Sequence, residues 1–132
     1  MIEVAAGLVF RNGKLLITRR RMQDHCGGLW EFPGGKRENW ESFEECLQRE
    51  LREELGIETQ VGALFATIRH DYPGRSVHLQ FYRCVLLCGE PQPIHCEAVA
   101  WILPGEITAY AFPAADARLL DTLSNSPHLW QD

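Results

Sequence analysis

No apolar run in this chain of 132 residues approaches the ~18 residues that a membrane-spanning helix requires, so none is expected. Positive charge is also in deficit. Thirteen Lys and Arg face 18 Asp and Glu, for a net charge of −5. That balance argues against DNA, RNA or a membrane surface as a stable partner. The opening Met1-Ile2-Glu3-Val4 has no basic region of the signal-peptide kind, and a cytoplasmic location is the expectation. Repeats, low-complexity segments and an interdomain linker are all missing, so residues 1–132 are expected to form one domain, long enough for a full core. Cysteine is odd in number: Cys26, Cys46, Cys84, Cys88 and Cys96. Reduced thiols follow rather than disulfides. The spacing of Cys84, Cys88 and His95-Cys96 is wrong for the common zinc fingers, and buried thiols are the simpler reading.

What remains is an ordinary globular composition, 45% hydrophobic and 23% charged, with a mixed order of elements. Ile2–Phe10 is a β-branched apolar run, Asn12-Gly13 a strong hairpin turn, and Leu15–Thr18 the returning strand. Residues 19–30 read as a loop. Thr59–His70, Val77–Cys88 and Glu97–Leu103 read as strands, with a turn over 71–75. Pro104–Ala109 suggests a helical turn. Pro113 suits the opening of a last helix, Ala114–Leu123, and 124–132 reads as a frayed tail. This order fits α/β or α+β; periodicity alone does not give the topology.

The clearest helix lies over 42–55. Ser42 followed by Glu45 is a capping box, Phe43, Leu47, Leu51 and Leu55 recur every four residues beside Cys46, and Gly56 supplies a stop. Glu50, Glu53 and Glu54 share one face of it. Like charges at this spacing cost an isolated helix about 0.2–0.5 kcal/mol per pair, which Arg49 and Arg52 offset in part. The plain alternative is a solvated acidic face. Such a concentrated violation of local electrostatics is, however, expected where function is located. Clustered carboxylates suit a hard cation such as Mg2+, which commonly joins carboxylates to substrate phosphates; Mn2+ is a possible substitute. In a chain of this charge the metal would also be needed for an anionic nucleotide to approach. Gly34-Gly35 precedes the helix, either as a close-approach point for a ligand or as an ordinary turn.

Residues 35–57 together read Gly-x5-Glu-x7-Arg-Glu-Leu-x-Glu-Glu-x-Gly-Ile, from Gly35 through Glu41, Arg49, Glu50, Leu51, Glu53, Glu54 and Gly56 to Ile57. Seven fixed types, each near ~5% abundance, coincide at a given start about once in 10^9. This pattern resembles the Nudix box without a departure. The likeness extends to Ile17-Thr18-Arg19-Arg20, Glu31-Phe32-Pro33-Gly34-Gly35-Lys36, Tyr72-Pro73-Gly74-Arg75 and Phe112-Pro113-Ala114-Ala115-Asp116, which are similar to the MutT group. Leu29-Trp30-Glu31-Phe32 and 49–57 are similar to its NudG (CTP pyrophosphohydrolase) branch. Coverage is about residues 2 to 123.

The resemblance implies a Nudix fold, a mixed β-sheet sandwiched between helices (α/β/α). It implies metal held by Glu50, Glu53, Glu54 and the Gly35 carbonyl, with Glu41 and Arg49 in support and Glu50 or Glu53 as general base. It carries a further metal ligand onto Glu97, for which an exposed strand-start glutamate is the alternative. Arg20, Phe32, Arg75 and Asp116 match positions lining the nucleotide pocket. Phe32 alternatively fills the core, and the arginines alternatively are solvated. Asp116 stands where MutT has Asn. An ionised Asp only accepts hydrogen bonds, so it suits a base edge bearing an amino group or ring N–H, cytosine first and guanine also; charge compensation at a helix start is the alternative.

The implied activity is Mg2+-dependent hydrolysis of nucleoside triphosphates, cytidine or oxidised ones leading, to monophosphate and pyrophosphate, in nucleotide-pool sanitation. Small-molecule nucleotides are the expected partners, and the sequence leaves oligomeric state open. The rival readings are a related substrate (an RNA 5′ end, a dinucleoside polyphosphate or ADP-ribose) and a nucleotide-sensing module without turnover.

Overall fold

The computed structural model describes residues 1–131. Strand β1 (Ile2–Arg11) turns at Asn12 and Gly13 into β2 (Lys14–Arg19). Both turn residues have positive φ, 52° and 77°, the requirement of a two-residue hairpin whose twist matches its strands. Short strands β3 (Trp30–Glu31) and β4 (Gly34–Lys36) follow, then helix α1 (Phe43–Leu55). The long hairpin β5 (Glu58–Tyr72) and β6 (Arg75–Cys88), strand β7 (Ala98–Ile102), 3-10 turns over Pro104–Ala109 and Ala114–Asp116, helix α2 (Ala117–Ser124) and a 3-10 turn at Pro127–Trp130 complete the order.

The seven strands form a mixed sheet of order β3-β2-β1-β6-β5, with β4 paired to β1 and β7 to β2. β1 runs parallel to β6, from Ile2 opposite Val77 to Val9 opposite Cys84, and antiparallel to its other partners. Successive side chains of β1 go to opposite faces, as a strand's period of two demands. Ala5 and Val9 join Leu47, Leu51, Leu55 and Ile57 under α1; Ala6, Leu8 and Phe10 join Phe32, Phe81, Leu119 and Leu123 on the α2 face. The sheet is therefore sandwiched between helices, an α+β arrangement of the kind the sequence implies.

Four details depart from the sequence reading. Gly34-Gly35 is not a free turn: both glycines pair with β1, Gly35 opposite Ala5. Phe43 is only half-buried, its ring edge-on to His78 and beneath the Arg37 guanidinium. The turn expected over 71–75 narrows to its tip, because Asp71, Tyr72 and Arg75 are already strand-paired. The tail is not frayed through 131. Trp130 is 2% exposed, sits 5.6 Å edge-on to Phe10 and donates from Nε1 to the Leu123 carbonyl at 3.0 Å. Burying so large a ring, with its polar atom satisfied, offsets the cost of ordering the segment. All five cysteines are free; Cys46 and Cys84 are buried, while Cys88 is exposed.

Candidate active site

Helix α1 begins as its capping box requires. Ser42 Oγ accepts from the Glu45 amide at 3.0 Å, and Glu45 Oε1 accepts from the Ser42 amide at 2.9 Å. One turn further on, Arg49 organises the acidic residues around itself. Its Nε and Nη2 fork onto Glu41 at 3.0 and 2.6 Å, and Nη2 also reaches the Lys36 carbonyl. Nη1 meets Glu50 Oε1 at 2.9 Å and Glu53 Oε2 at 3.2 Å. The Glu41 side chain is 1% exposed and takes a further bond from the Glu38 amide. The Arg49 guanidinium accordingly holds the Glu41 carboxyl down at about 2, against the opposing effect of burial. Arg52 is forked onto Glu58 at the start of β5 and meets the acidic face only through the nearby charge of Glu53.

The box glutamates have distinct surroundings. Glu53 is the open one, its side chain 54% exposed. The Glu50 side chain lies over Gly35: a Cβ on Gly35 would come within 2.3 Å of the Glu50 carboxyl, so a larger residue there would have to displace that side chain. Burial raises the Glu50 carboxyl although Arg49 pulls the other way. Glu54 is pushed up to about 8 by burial, then by the charges of Glu50 and Glu31, and it is hydrogen-bonded to Glu50. Burial and like charge together disfavour ionisation of this pair. Glu97 is exposed in the bend before β7, its amide donating to the Arg19 carbonyl at 2.8 Å. It lies within electrostatic reach of Cys96, as do Glu54 and Glu31; burial and these charges push that thiol to about 11.

Clustered hard oxygen donors suit a hard divalent cation. The Gly35 carbonyl lies beside Glu50 and accepts from Cys46 Sγ at 3.5 Å. Among the described residues no three Asp, Glu, His or Cys side chains converge as a finished cage. Arg49 bridges Glu41, Glu50 and Glu53.

Beside this face a cleft of about 330 Å3 opens, and Gly35 lies on its wall. The cleft gathers residues distant in sequence: Arg20, Phe32, Lys36, Arg75 and Asp116 all line it. Phe32 is 4% exposed and packs edge-on against Phe81 and tilted against Phe112, so it is floor and core at once. Arg20 donates to Glu31 at 3.0 Å and to the His25 carbonyl at 2.6 Å. Arg75 is exposed and makes no ion pair among the described residues. Arg37 is tied to Glu3 and to the Glu38 and Glu41 carbonyls, away from ligand duty.

Asp116 is 7% exposed, and its side chain makes no capping bond to α2. Burial, with the charge of Glu31 added, pushes it up to about 6. Sequence reasoning missed Glu31. Its carboxyl is raised by burial in spite of Arg20, and it stands electrostatically between Glu54 and Asp116. The available signal was an acidic residue set between Trp30 and Phe32. His25, Cys26 and Tyr72 also line the cleft and were not singled out.

A carboxylate-rich helix beside a nucleotide-sized cleft, on a mixed sheet between helices, defines a class of small-molecule hydrolase. The NUDIX domain model matches residues 5–122, and the chain belongs to the Nudix family. Members of that family generally depend on a divalent metal and act on small nucleotide substrates. The chain is 42% identical over 121 residues to the CTP pyrophosphohydrolase of Escherichia coli (strain K12), covering 92% of this chain and 90% of that one. It is 36% identical over 131 residues to the 8-oxo-dGTP diphosphatase of Haemophilus influenzae, covering 97% and 95%. The solution structure of the E. coli ORF135 protein superposes with a TM-score of 0.81 at 40% identity, over 96% of this chain and 90% of that one. The crystal structure of MutT protein from Methanosarcina mazei Go1 shares the fold, with a TM-score of 0.84 at 21% identity, over 95% and 94%. No described helix is long and apolar enough to cross a membrane.

Proposed function

We propose that this chain is a Mg2+-dependent pyrophosphohydrolase of nucleoside triphosphates with cytidine nucleotides as lead substrates, acting as one domain in the cytoplasm to clear surplus or modified nucleotides. The observation that carries the substrate is Asp116. A buried carboxylate on the cleft wall, with no side-chain hydrogen-bond partner among the described residues, accepts a donor, and the cytosine amino group is one. The 42% identity to a CTP pyrophosphohydrolase points the same way.

Glu50, Glu53, Glu54 and the Gly35 carbonyl would hold the metal, with Glu97 as the further ligand. When bound, the cation supplies charge that offsets phosphate repulsion and acidifies water. The chain's own residues do the rest. Arg49 holds Glu50 and Glu53 in place from Glu41, itself locked to the loop before α1. Glu53, open to solvent, takes the proton of the attacking water. Attack at the β-phosphorus breaks its bond to the α–β bridging oxygen, which leaves with the nucleoside monophosphate; the other product is pyrophosphate. Phe32 floors the cleft beneath the base, and Arg20 and Arg75 provide forked donors for phosphate or sugar oxygens. Excess Mg2+ with CTP should release CMP and pyrophosphate. Release of inorganic phosphate instead, or no turnover on any nucleotide, would sink this reading.

A second reading keeps the chemistry and changes the base. Guanine also offers an N1–H and an amino group to Asp116, and relatives at 36% and 32% identity are 8-oxo-dGTP diphosphatases. The same assay with 8-oxo-dGTP separates the two by kcat/KM.

A further inference from the structure

The turn just before α1 carries an indole that no part of the proposed reaction uses. Residues 38–41 form this turn, closed by the Glu41 amide donating to the Glu38 carbonyl at 3.3 Å. Its ends are fastened. The Glu38 amide donates to Glu41 Oε1 at 3.0 Å, and Arg37 Nη1 donates to the carbonyls of both Glu38 and Glu41. Trp40 sits at the tip and is 73% exposed, whereas Trp130 is buried and Trp30 and Trp101 are half-buried. Its exposure belongs to an ordered turn rather than to a loose end.

The place of that ring singles it out. Neighbours across the site follow one another in a row. Asp116 feels the charge of Glu31, and Glu31 in turn acts on Glu54. Glu54 is hydrogen-bonded to Glu50, and Glu50 meets Arg49 Nη1 at 2.9 Å. The Arg49 guanidinium lies 5.9 Å from the centre of the Trp40 ring, within cation–π reach. Asp116 and Trp40 thus stand at opposite ends of the acidic row. Lys36 joins the row to the cleft. It lines the cleft wall, its carbonyl receives Arg49 Nη2, and its exposed ammonium makes no ion pair among the described residues.

A base held at Asp116, with its phosphates drawn past Lys36 along the acidic face, sends its distal phosphate toward Trp40. One face of the indole looks onto Arg49, and the other is open to water. An open aromatic face takes a flat base by stacking, whichever base it is.

We propose that Trp40 is a stacking platform for a second nucleoside carried on the distal phosphate, so that the chain accepts dinucleoside polyphosphates as well as triphosphates. The inference rests on the pyrophosphohydrolase reading and adds the residue that recognises the far end of the substrate. With cytidine and adenosine joined through three phosphates (Cp3A), water attacks the middle phosphorus. The bond from that phosphorus to the bridging oxygen on the cytidine side breaks, and this oxygen leaves with CMP. The oxygen of the water stays on the other product, ADP, and its proton passes to Glu53.

The test follows CMP and ADP from Cp3A, beside CMP and pyrophosphate from CTP, with Mg2+ in the wild-type protein, Trp40→Ala and Trp40→Phe. Both variants change an exposed side chain and should keep the melting temperature. The wild-type protein should cleave Cp3A with a kcat/KM at least equal to that for CTP. Trp40→Ala should lower the ratio of kcat/KM for Cp3A to that for CTP by about tenfold or more, and Trp40→Phe should keep most of it. If Trp40 served only to steady Arg49, both substrates would suffer alike and the ratio would stay in place, which overturns the proposal. So does a wild-type protein that turns over CTP and leaves Cp3A intact. The triphosphate reading survives both of those results, whereas silence on both compounds overturns it together with this inference.

Discussion

At the residue scale the account rests on carboxylates made unequal by their surroundings. Glu41 is buried and ion-paired, Glu54 is half-buried among like charges, and Glu53 is open to water. Glu53→Gln keeps the shape and removes the proton acceptor. Its kcat should fall by about 10^2–10^4-fold with the melting temperature little changed, because an exposed side chain contributes little packing. Rapid-quench rates beside a melting curve separate the two effects. Asp116 carries a pH expectation. Burial sets its carboxyl near 6, so above that value it is an acceptor, and below it a proton occupies the edge meant for the cytosine amino group. KM for CTP should therefore rise as pH falls through about 6, and the corresponding step should be missing in Asp116→Asn. The sequence pointed to Asp116 only by analogy, because its neighbours in the cleft, Arg20, Phe32 and Arg75, come from three other elements. Glu31 was not legible for the same reason: nothing local reveals that a half-buried strand glutamate will stand between two other acids.

Elements defined by local chemistry were legible. The Ser42–Glu45 box, the leucine stripe and Gly56 place α1 where the sequence expects it, and Asn12-Gly13 makes its hairpin. Strand β4 was not legible, since two glycines and a lysine signal a turn until β1 supplies the partner. The fit of Glu50 over Gly35 depends on that pairing. Arg49 ties α1 back to the loop before it, through Glu41 and the Lys36 carbonyl. Glu41→Gln removes a buried ion pair and should destabilise the protein by about 3 kcal/mol, measured by urea unfolding. The pair also makes stability pH-dependent. Glu41 is depressed from 4.5 to about 2, so its contribution is complete above 4.5 and is lost as pH falls through about 2. Glu41→Gln should flatten the acid limb of a stability–pH curve.

Across the whole molecule, two cores on opposite faces of one sheet hold the acidic helix and the cleft in register. The α2 side includes Trp130, which the polar tail around it conceals in sequence: Ser124, Asn125, Ser126 and His128 give no apolar period, and only contact with Phe10 makes the segment core. Trp130→Ala should cost about 3–5 kcal/mol, seen as a large fall in melting temperature at pH 7. The acid helix packs on the other face, so the surviving folded protein should retain its kcat. That outcome would separate the layer that stabilises from the layer that reacts.

The most direct measurement compares kcat/KM for CTP and UTP with Mg2+, in the wild-type protein and in Asp116→Asn. The two substrates differ at C4, amino against carbonyl, and at the neighbouring N3, an acceptor in cytosine and an N–H donor in uracil. The account expects CTP to be favoured by about 10^2-fold or more, because UTP sets a carbonyl oxygen against a buried carboxylate. It expects that ratio to collapse in the variant while pyrophosphate is still released. Equal use of CTP and UTP by the wild-type protein, or an unchanged ratio in the variant, would contradict it.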